Sequence, residues 1–194
     1  MGGAHEAALR ARGLTGAALA GLTAYLDLVA RWSARVNLTA ARDAAARVRI
    51  LVEPALQAAP HLVPGSLLDV GSGNGSPGLV LALLEPGRPT TLLEPRARRW
   101  AFLVEATRAT GAGHVRVQRL RHDGYSGPPA ANVLVRALRL PVGSLLPLLE
   151  PGGRLLLWAA PGPLPAGLET VTRPADGRQG PYVLSRNRPR HCST

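Results

Sequence analysis

A run of glycines constrains this chain more than any other feature. In Leu67-Leu-Asp-Val-Gly-Ser-Gly-Asn-Gly-Ser-Pro-Gly78, the glycines Gly71, Gly73, Gly75 and Gly78 follow directly on an apolar segment. Glycine permits positive φ and leaves room for a ligand against the main chain. Pro77 stands where a helix would begin, because the first turn of a helix needs no N–H from it. The stretch therefore predicts a buried strand, a tight loop and a helix. In an open α/β sheet, a ligand crevice lies at the carboxyl end of such a strand.

The surrounding sequence extends this unit into a fold class. Leu19, Leu22, Leu26, Val29 and Val36 recur at helical spacing, and a second helix is expected over 41–58 with Asp43 near its start. Past Pro64-Gly65 the texture changes. Apolar runs at 67–70, 90–94, 114–118, 133–135 and 154–158 alternate with helical stretches at about 77–84, 98–110 and 143–149. Two further apolar runs follow near 168–172 and 182–185. Strands alternating with helices predict an α/β fold with a parallel sheet. We expect one domain: a helical N-terminal cap over 1–62, an α/β core over 63–185 and a basic tail over 186–194.

The acidic residues narrow the ligand. Asp69 lies two residues before the first glycine, and Glu94 ends the second strand, where a carboxylate can accept hydrogen bonds from both hydroxyls of a ribose. A dinucleotide loop would place its third glycine where Ser76 stands, and a diphosphate is poorly matched to Asp69. A cationic, phosphate-free nucleoside such as S-adenosylmethionine suits the site better. The later segment Leu148-Leu-Glu-Pro-Gly-Gly-Arg-Leu-Leu-Leu157, a turn running into an apolar strand, agrees with a class I methyltransferase.

Charge points to a polyanion. The chain carries a formal net charge of +11, and all 23 of its basic side chains are arginine. The absence of Lys and a single Ile, Ile50, indicate a GC-rich coding bias, but that bias does not dictate the excess of base over acid. A basic surface suits RNA. Prolines and glycines interrupt the apolar stretch around 145–168, so about 20 uninterrupted apolar residues for a membrane span are not expected. No basic segment followed by an apolar one opens the chain, which predicts a cytoplasmic protein. The single cysteine, Cys192, precludes an internal disulfide, and the histidines lack metal-ligand spacing, so no metal is expected.

These motifs together resemble the guanine-N7 methyltransferases of small-subunit ribosomal RNA, the RsmG or GidB family. Trp32, Asn37-Leu-Thr39 and Arg42-Asp43 resemble the family's entry segment, and the loop through Pro77-Gly78 is similar to its donor loop. Thr91-Leu-Leu-Glu94 with Arg98-Arg99 and Phe102-Leu103, Arg121-His-Asp123, and Val135-Arg-Ala137 resemble later family segments. The resemblance implies a Rossmann-like class I methyltransferase sheet with an N-terminal helical cap. It implies a donor over Gly71 and Ser76, bounded by Asp69, Gly73 and Glu94, with the adenine edge near His122 and Asp123 and with Arg136 toward the substrate. The implied partner is the RNA of the small ribosomal subunit, met by a protein expected to be a monomer.

Departures fall on the substrate half. The family's His-x-x-Asp-Ser before the donor loop is replaced at Ile50, Glu53 and Pro54; its Lys-Gly gives way to Trp158-Ala159-Ala160; and the acid before the fourth strand is missing at Ala131-Asn132. These changes leave a non-catalytic RNA- or ribosome-binding paralogue as an alternative, and a small-molecule methyltransferase as a third reading. Guanine N7 carries a lone pair and no proton, so no catalytic acid or base is expected and positioning is the enzyme's task.

Overall fold

The structure, a computed structural model, describes residues 2–174 and 180–187. Within them a seven-stranded sheet has the order β3-β2-β1-β4-β5-β7-β6. The strands are β1 (Leu67–Val70), β2 (Thr90–Leu93), β3 (Val115–Gln118), β4 (Ala130–Val135), β5 (Leu149–Leu157), β6 (Leu168–Thr172) and β7 (Tyr182–Arg186). The first five run parallel, while β7 is antiparallel to both β5 and β6. All four residues of β1 and all six of β4 are buried, as expected for apolar strands central to a parallel sheet.

Helices gather on one face. The N-terminal helices α1 (Gly2–Arg10) and α2 (Gly16–Trp32) precede α3 (Ala44–Arg47), a π turn (Val48–Val52) and α4 (Glu53–Ala58). The crossovers β1–β2 and β2–β3 carry α5 (Gly78–Leu84) and α6 (Ala97–Ala109). Side chains of α1, α2, α4, α5 and α6 share one buried cluster with Leu67, Leu92, Val115, Leu134, Leu156 and Val183 of the sheet. On α2 the predicted stripe Leu19, Leu22, Leu26 and Val29 is buried, but Val36 lies beyond the helix, which ends at Trp32. Asp43 caps α3, accepting a hydrogen bond from Ala46 N at 2.7 Å. Within the cap, buried His5 links α1 to α2: its Nδ1 lies 2.7 Å from Asp27 Oδ1.

The opposite face is built differently. Leu68, Val70, Leu93, Val133, Val135, Leu155 and Leu157 pack there with Val142, Leu145 and Leu148. Those last three belong to a 3-10 turn (Val142–Leu148), where a helix over 143–149 was expected. Among the described residues no α-helix covers this face. Strand β5 also begins earlier than the expected 154, at Leu149, because Pro151-Gly152-Gly153 is absorbed into an irregular pairing opposite β4 rather than ending the strand. The expected boundary of the basic tail shifts too. Arg186 ends β7, and its guanidinium donates to the carbonyls of Leu146 and Leu149. Residues 188–194, including His191 and Cys192, lie outside the described residues. No described helix is long and apolar enough to cross a membrane.

Asn132, one of the departures noted above, clamps the entry to the sheet. Fully buried, it accepts from Val63 N at 2.9 Å and donates to Val63 O at 2.9 Å and Ser66 O at 3.2 Å. A carboxylate could accept but not donate, so the amide serves both halves of the Val63 peptide where an acid would serve one. Asn132→Ala leaves Val63 N without its partner, while Val63 O keeps the Arg88 guanidinium and Ser66 O keeps the main-chain N–H of residue 132, and it is expected to lower stability by about 1–3 kcal/mol. Asn132→Asp is also expected to destabilise, both changes being read from urea unfolding midpoints.

Candidate active site

Strand register assembles the site. Val70 pairs with Leu93 on one side and Val135 on the other. The residues that follow these three, Gly71, Glu94 and Arg136, therefore emerge side by side at the carboxyl edge, where the strand order reverses direction. They line a cleft of about 430 Å³ together with Arg96, Arg99, Arg121, His122 and Leu138. That size lies within the range of small-ligand sites.

The loop between β1 and α5 is held from below. Gly71, Gly73 and Gly75 all have positive φ. A Cβ on Gly71, at φ +74, would lie 2.2 Å from Leu138 Cδ1. Leu138 comes from the loop after β4, so the two loops close on each other at this point. Glu94, 2% exposed, accepts from Gly73 N at 3.0 Å and from Arg96 N at 2.8 Å, so both its oxygens are oriented by main chain. Asp69 lies under the loop and accepts from Gly78 N at 3.2 Å. A Cβ on Gly78 would come 2.5 Å from Asp69 Oδ2, so only glycine lets α5 start this close to the carboxylate. Burial pushes the Asp69 carboxyl up to about 7, against the lowering pull of the Gly78 amide and the Arg136 guanidinium.

A second set of polar contacts fastens this loop to the N-terminal helices. Tyr25 of α2, fully buried, donates its hydroxyl to Asn74 O at 2.8 Å. Burial raises the Tyr25 phenol far above its ordinary range, so it stays a neutral donor. Asn74 donates to Leu38 O at 2.8 Å and accepts from Ser76 N at 3.1 Å. Ser76 donates to Leu51 O at 2.6 Å and accepts from Arg136 Nη1 at 2.8 Å, while Arg136 Nη2 donates to Ile50 O at 2.7 Å. Pro54 has no N–H for the Ile50 carbonyl four residues before it, its partner in an α-helix, and Arg136 supplies the bond instead. The contact uses the main chain of Ile50, so the identity of that side chain does not enter it. Glu53 is engaged elsewhere, accepting from Arg12 Nε at 2.9 Å and Nη2 at 2.6 Å.

The eight sequence-predicted residues thus separate into groups. Gly71, Glu94, His122 and Arg136 line the cleft. Asp69 and Ser76 are buried beneath it, and Gly73 bonds to Glu94 from the loop. Asp123 is exposed and paired with Arg121, whose Nε lies 3.2 Å from Asp123 Oδ2; that hydrogen bond lowers its pKa. Tyr25, Asn74, Arg96, Arg99 and Leu138 were not anticipated. A tyrosine within the apolar stripe of α2 was the one available signal, because a buried phenol needs a partner. Among the described residues no three His, Cys, Asp or Glu side chains gather as a metal site would require.

Comparison with known proteins supplies the context for this geometry. The GidB family model, described as rRNA small subunit methyltransferase G, matches residues 18–160. The ribosomal RNA small subunit methyltransferase G of Halorhodospira halophila is 38% identical over 143 residues, covering 72% of this chain and 68% of that protein. Its counterpart from Xanthomonas axonopodis pv. citri is 37% identical over 157 residues, covering 79% and 74%. Among solved structures, an rRNA methylase from Streptococcus thermophilus superposes with a TM-score of 0.53 at 16% identity, covering 71% of this chain and 96% of that one. Coclaurine N-methyltransferase bound to N-methylheliamine and SAH gives a TM-score of 0.51 at 18% identity, covering 59% and 35%. At such identities the structural likeness shows the fold: a class I methyltransferase sheet, as the sequence led us to expect.

The buried carboxyl makes a pH prediction. Asp69 has a raised pKa in the fold, so its contribution to stability is full below the unfolded value of 3.8 and is lost as pH rises through about 7. Asp69→Asn removes this term at every pH. Between pH ~5 and ~8 the wild type is expected to lose about 2 kcal/mol relative to the variant, measured by parallel urea titrations. Equal pH dependence of the two proteins would contradict the assignment.

Proposed function

The chain belongs to the GidB family, rRNA small subunit methyltransferase G, and from that premise we propose that it methylates N7 of a guanine in small-subunit (16S) ribosomal RNA with S-adenosylmethionine as donor. The observation that carries the donor assignment is Glu94. A carboxylate on the cleft wall, already oriented by two backbone amides, keeps lone pairs for the two ribose hydroxyls of a nucleoside. The residues fit the donor in other respects. Gly71 brings bare backbone to the cleft, and His122 lines the wall expected to meet the adenine.

When bound, S-adenosylmethionine supplies an electrophilic methyl on a sulfonium. The chain's own residues bind and orient. Gly71 and Gly73 leave room for the donor along the loop, and Glu94 fixes the ribose. Leu138, which stands over Gly71, excludes water from that wall. Asp69 and Ser76 act from beneath, holding the loop to α5 and to the π turn. Arg136 ties the cleft wall to the π turn and to Ser76, setting the distance between the N-terminal helices and the cleft. Attack by N7 requires no proton removal, so alignment is the whole catalytic demand, and no side chain is assigned as acid or base. A ribosomal RNA substrate, named for the relatives, supports a cytoplasmic site of action.

Incubation of labelled donor with small subunits lacking the modification is expected to give labelled 16S RNA, with chain scission at 7-methylguanosine after reduction and aniline treatment. Donor binding without any transfer to subunits or to their naked RNA would overturn the reading. Glu94→Ala is expected to weaken donor binding, read by calorimetry, by about 10- to 100-fold through two lost charge-assisted hydrogen bonds. Gly71→Arg should abolish it, since the cleft floor has no space for a side chain there.

A further inference from the structure

Outside the donor cleft, a larger groove of about 730 Å³ runs between the end of α2 and the first turns of α6. Arg31, Arg35 and Arg98 line it, together with Trp32, Val36 and Glu105. All three arginines are exposed. Among the described residues none of them forms an ion pair or a side-chain hydrogen bond, whereas Arg10, Arg12, Arg88 and Arg121 each hold a carboxylate. Glu105 also stands unpaired, so the groove keeps a net positive charge. Three like charges lining one concavity are a cost to the free protein that a polyanion would relieve.

The groove has an aromatic wall and a direct continuation. Trp32 is fixed edge-to-face on buried Phe102, with ring centroids 5.6 Å apart, and the partly buried ring lines the groove. Arg98 faces the groove while its neighbour Arg99 lines the donor cleft, so one helical turn serves both. Arg99 also donates to Asn37 O at 3.3 Å, tying α6 to the segment that follows α2. Resting on the reading of the chain as an RNA methyltransferase, we infer that this groove binds a single-stranded segment of the substrate RNA. Arg31, Arg35 and Arg98 take its phosphates bidentately, Trp32 offers a face for a base, and the strand passes around the start of α6 toward the cleft. The partner is an RNA backbone and not a mononucleotide, because the cations are spread over α2, the turn that follows it and the start of α6.

The test compares wild type with the triple variant Arg31→Glu, Arg35→Glu, Arg98→Glu, and with the corresponding triple Gln variant. Affinity for protein-free 16S RNA is measured by filter binding over a range of salt, with donor affinity followed by calorimetry. We expect the Glu variant to lose at least tenfold in RNA affinity at low salt. The Gln variant should show a salt slope shallower by about 2, from three phosphate contacts. Donor affinity should be unchanged in both. RNA affinity and slope equal to wild type would overturn the groove. So would normal binding to naked RNA with weakened binding only to intact subunits, which would assign the groove to an acidic protein segment. Failure of the wild type to methylate any RNA is a separate result that strikes the proposed function itself.

Discussion

The register of three strands governs the rest of this molecule. Because Val70 lies level with Leu93 and with Val135, the chain turns out of β1, β2 and β4 at the same height. A slip of one residue in either pairing would invert the faces of the strand, moving buried leucines and valines to the wrong layer. It would also separate Gly71 from Glu94 and from Arg136. The apolar patterning that stabilises the sheet and the geometry of the cleft are therefore one constraint, and the site inherits its precision from the core.

On that frame, buried polar groups decide how loops meet. The route from Arg136 through Ser76 to the carbonyls of Ile50 and Leu51 crosses from the end of β4 to the turn before β1. Tyr25 and Asn74 make a second crossing to α2 and to Leu38. All but the Arg136–Ile50 bond join the loop between β1 and α5 to chain far away in sequence. The N-terminal helices are thus part of the site's foundation, and a disturbance in the π turn reaches the cleft through Arg136 without any residue of that turn touching a ligand. Burial lowers the pKa of this guanidinium, and the neighbouring Tyr25 and Asp69 counter that shift.

Much of this was legible in the chain and some was not, for identifiable reasons. The short strands were readable because apolar runs were bounded by Pro and Gly. The tight loop between β1 and α5 was readable because glycines in such spacing supply the positive φ it needs. The position of Glu94 at the carboxyl edge was readable, since strand ends in a parallel sheet share that edge. The depth of Asp69 and Ser76 was not readable: both sit in the loop sequence, but whether a loop side chain points to the ligand or to the core depends on what packs beneath. The start of β5 was missed because Pro-Gly-Gly ordinarily breaks a strand, and here the neighbouring strand tolerates an irregular pairing. Pro54 looked like a loss, and only the position of the Arg136 guanidinium shows what replaces the missing N–H.

The connections over the sheet face that carries no described α-helix hold seven of the chain's eighteen prolines. Pro128, Pro129, Pro141, Pro147, Pro161, Pro163 and Pro165 all fall in the connections β3–β4, β4–β5 and β5–β6, which cover that face. Proline disrupts a helix interior but suits a connection whose φ it already matches. Such a residue also narrows the unfolded ensemble, so less conformational entropy is surrendered on folding. That side of the sheet is therefore covered by chain stiffened covalently, residue by residue, where the other side relies on helical hydrogen bonds. The prolines bar any single substitution from rebuilding a helix there, and the two faces are free to diverge under different rules: one through the packing of side chains, the other through the backbone itself.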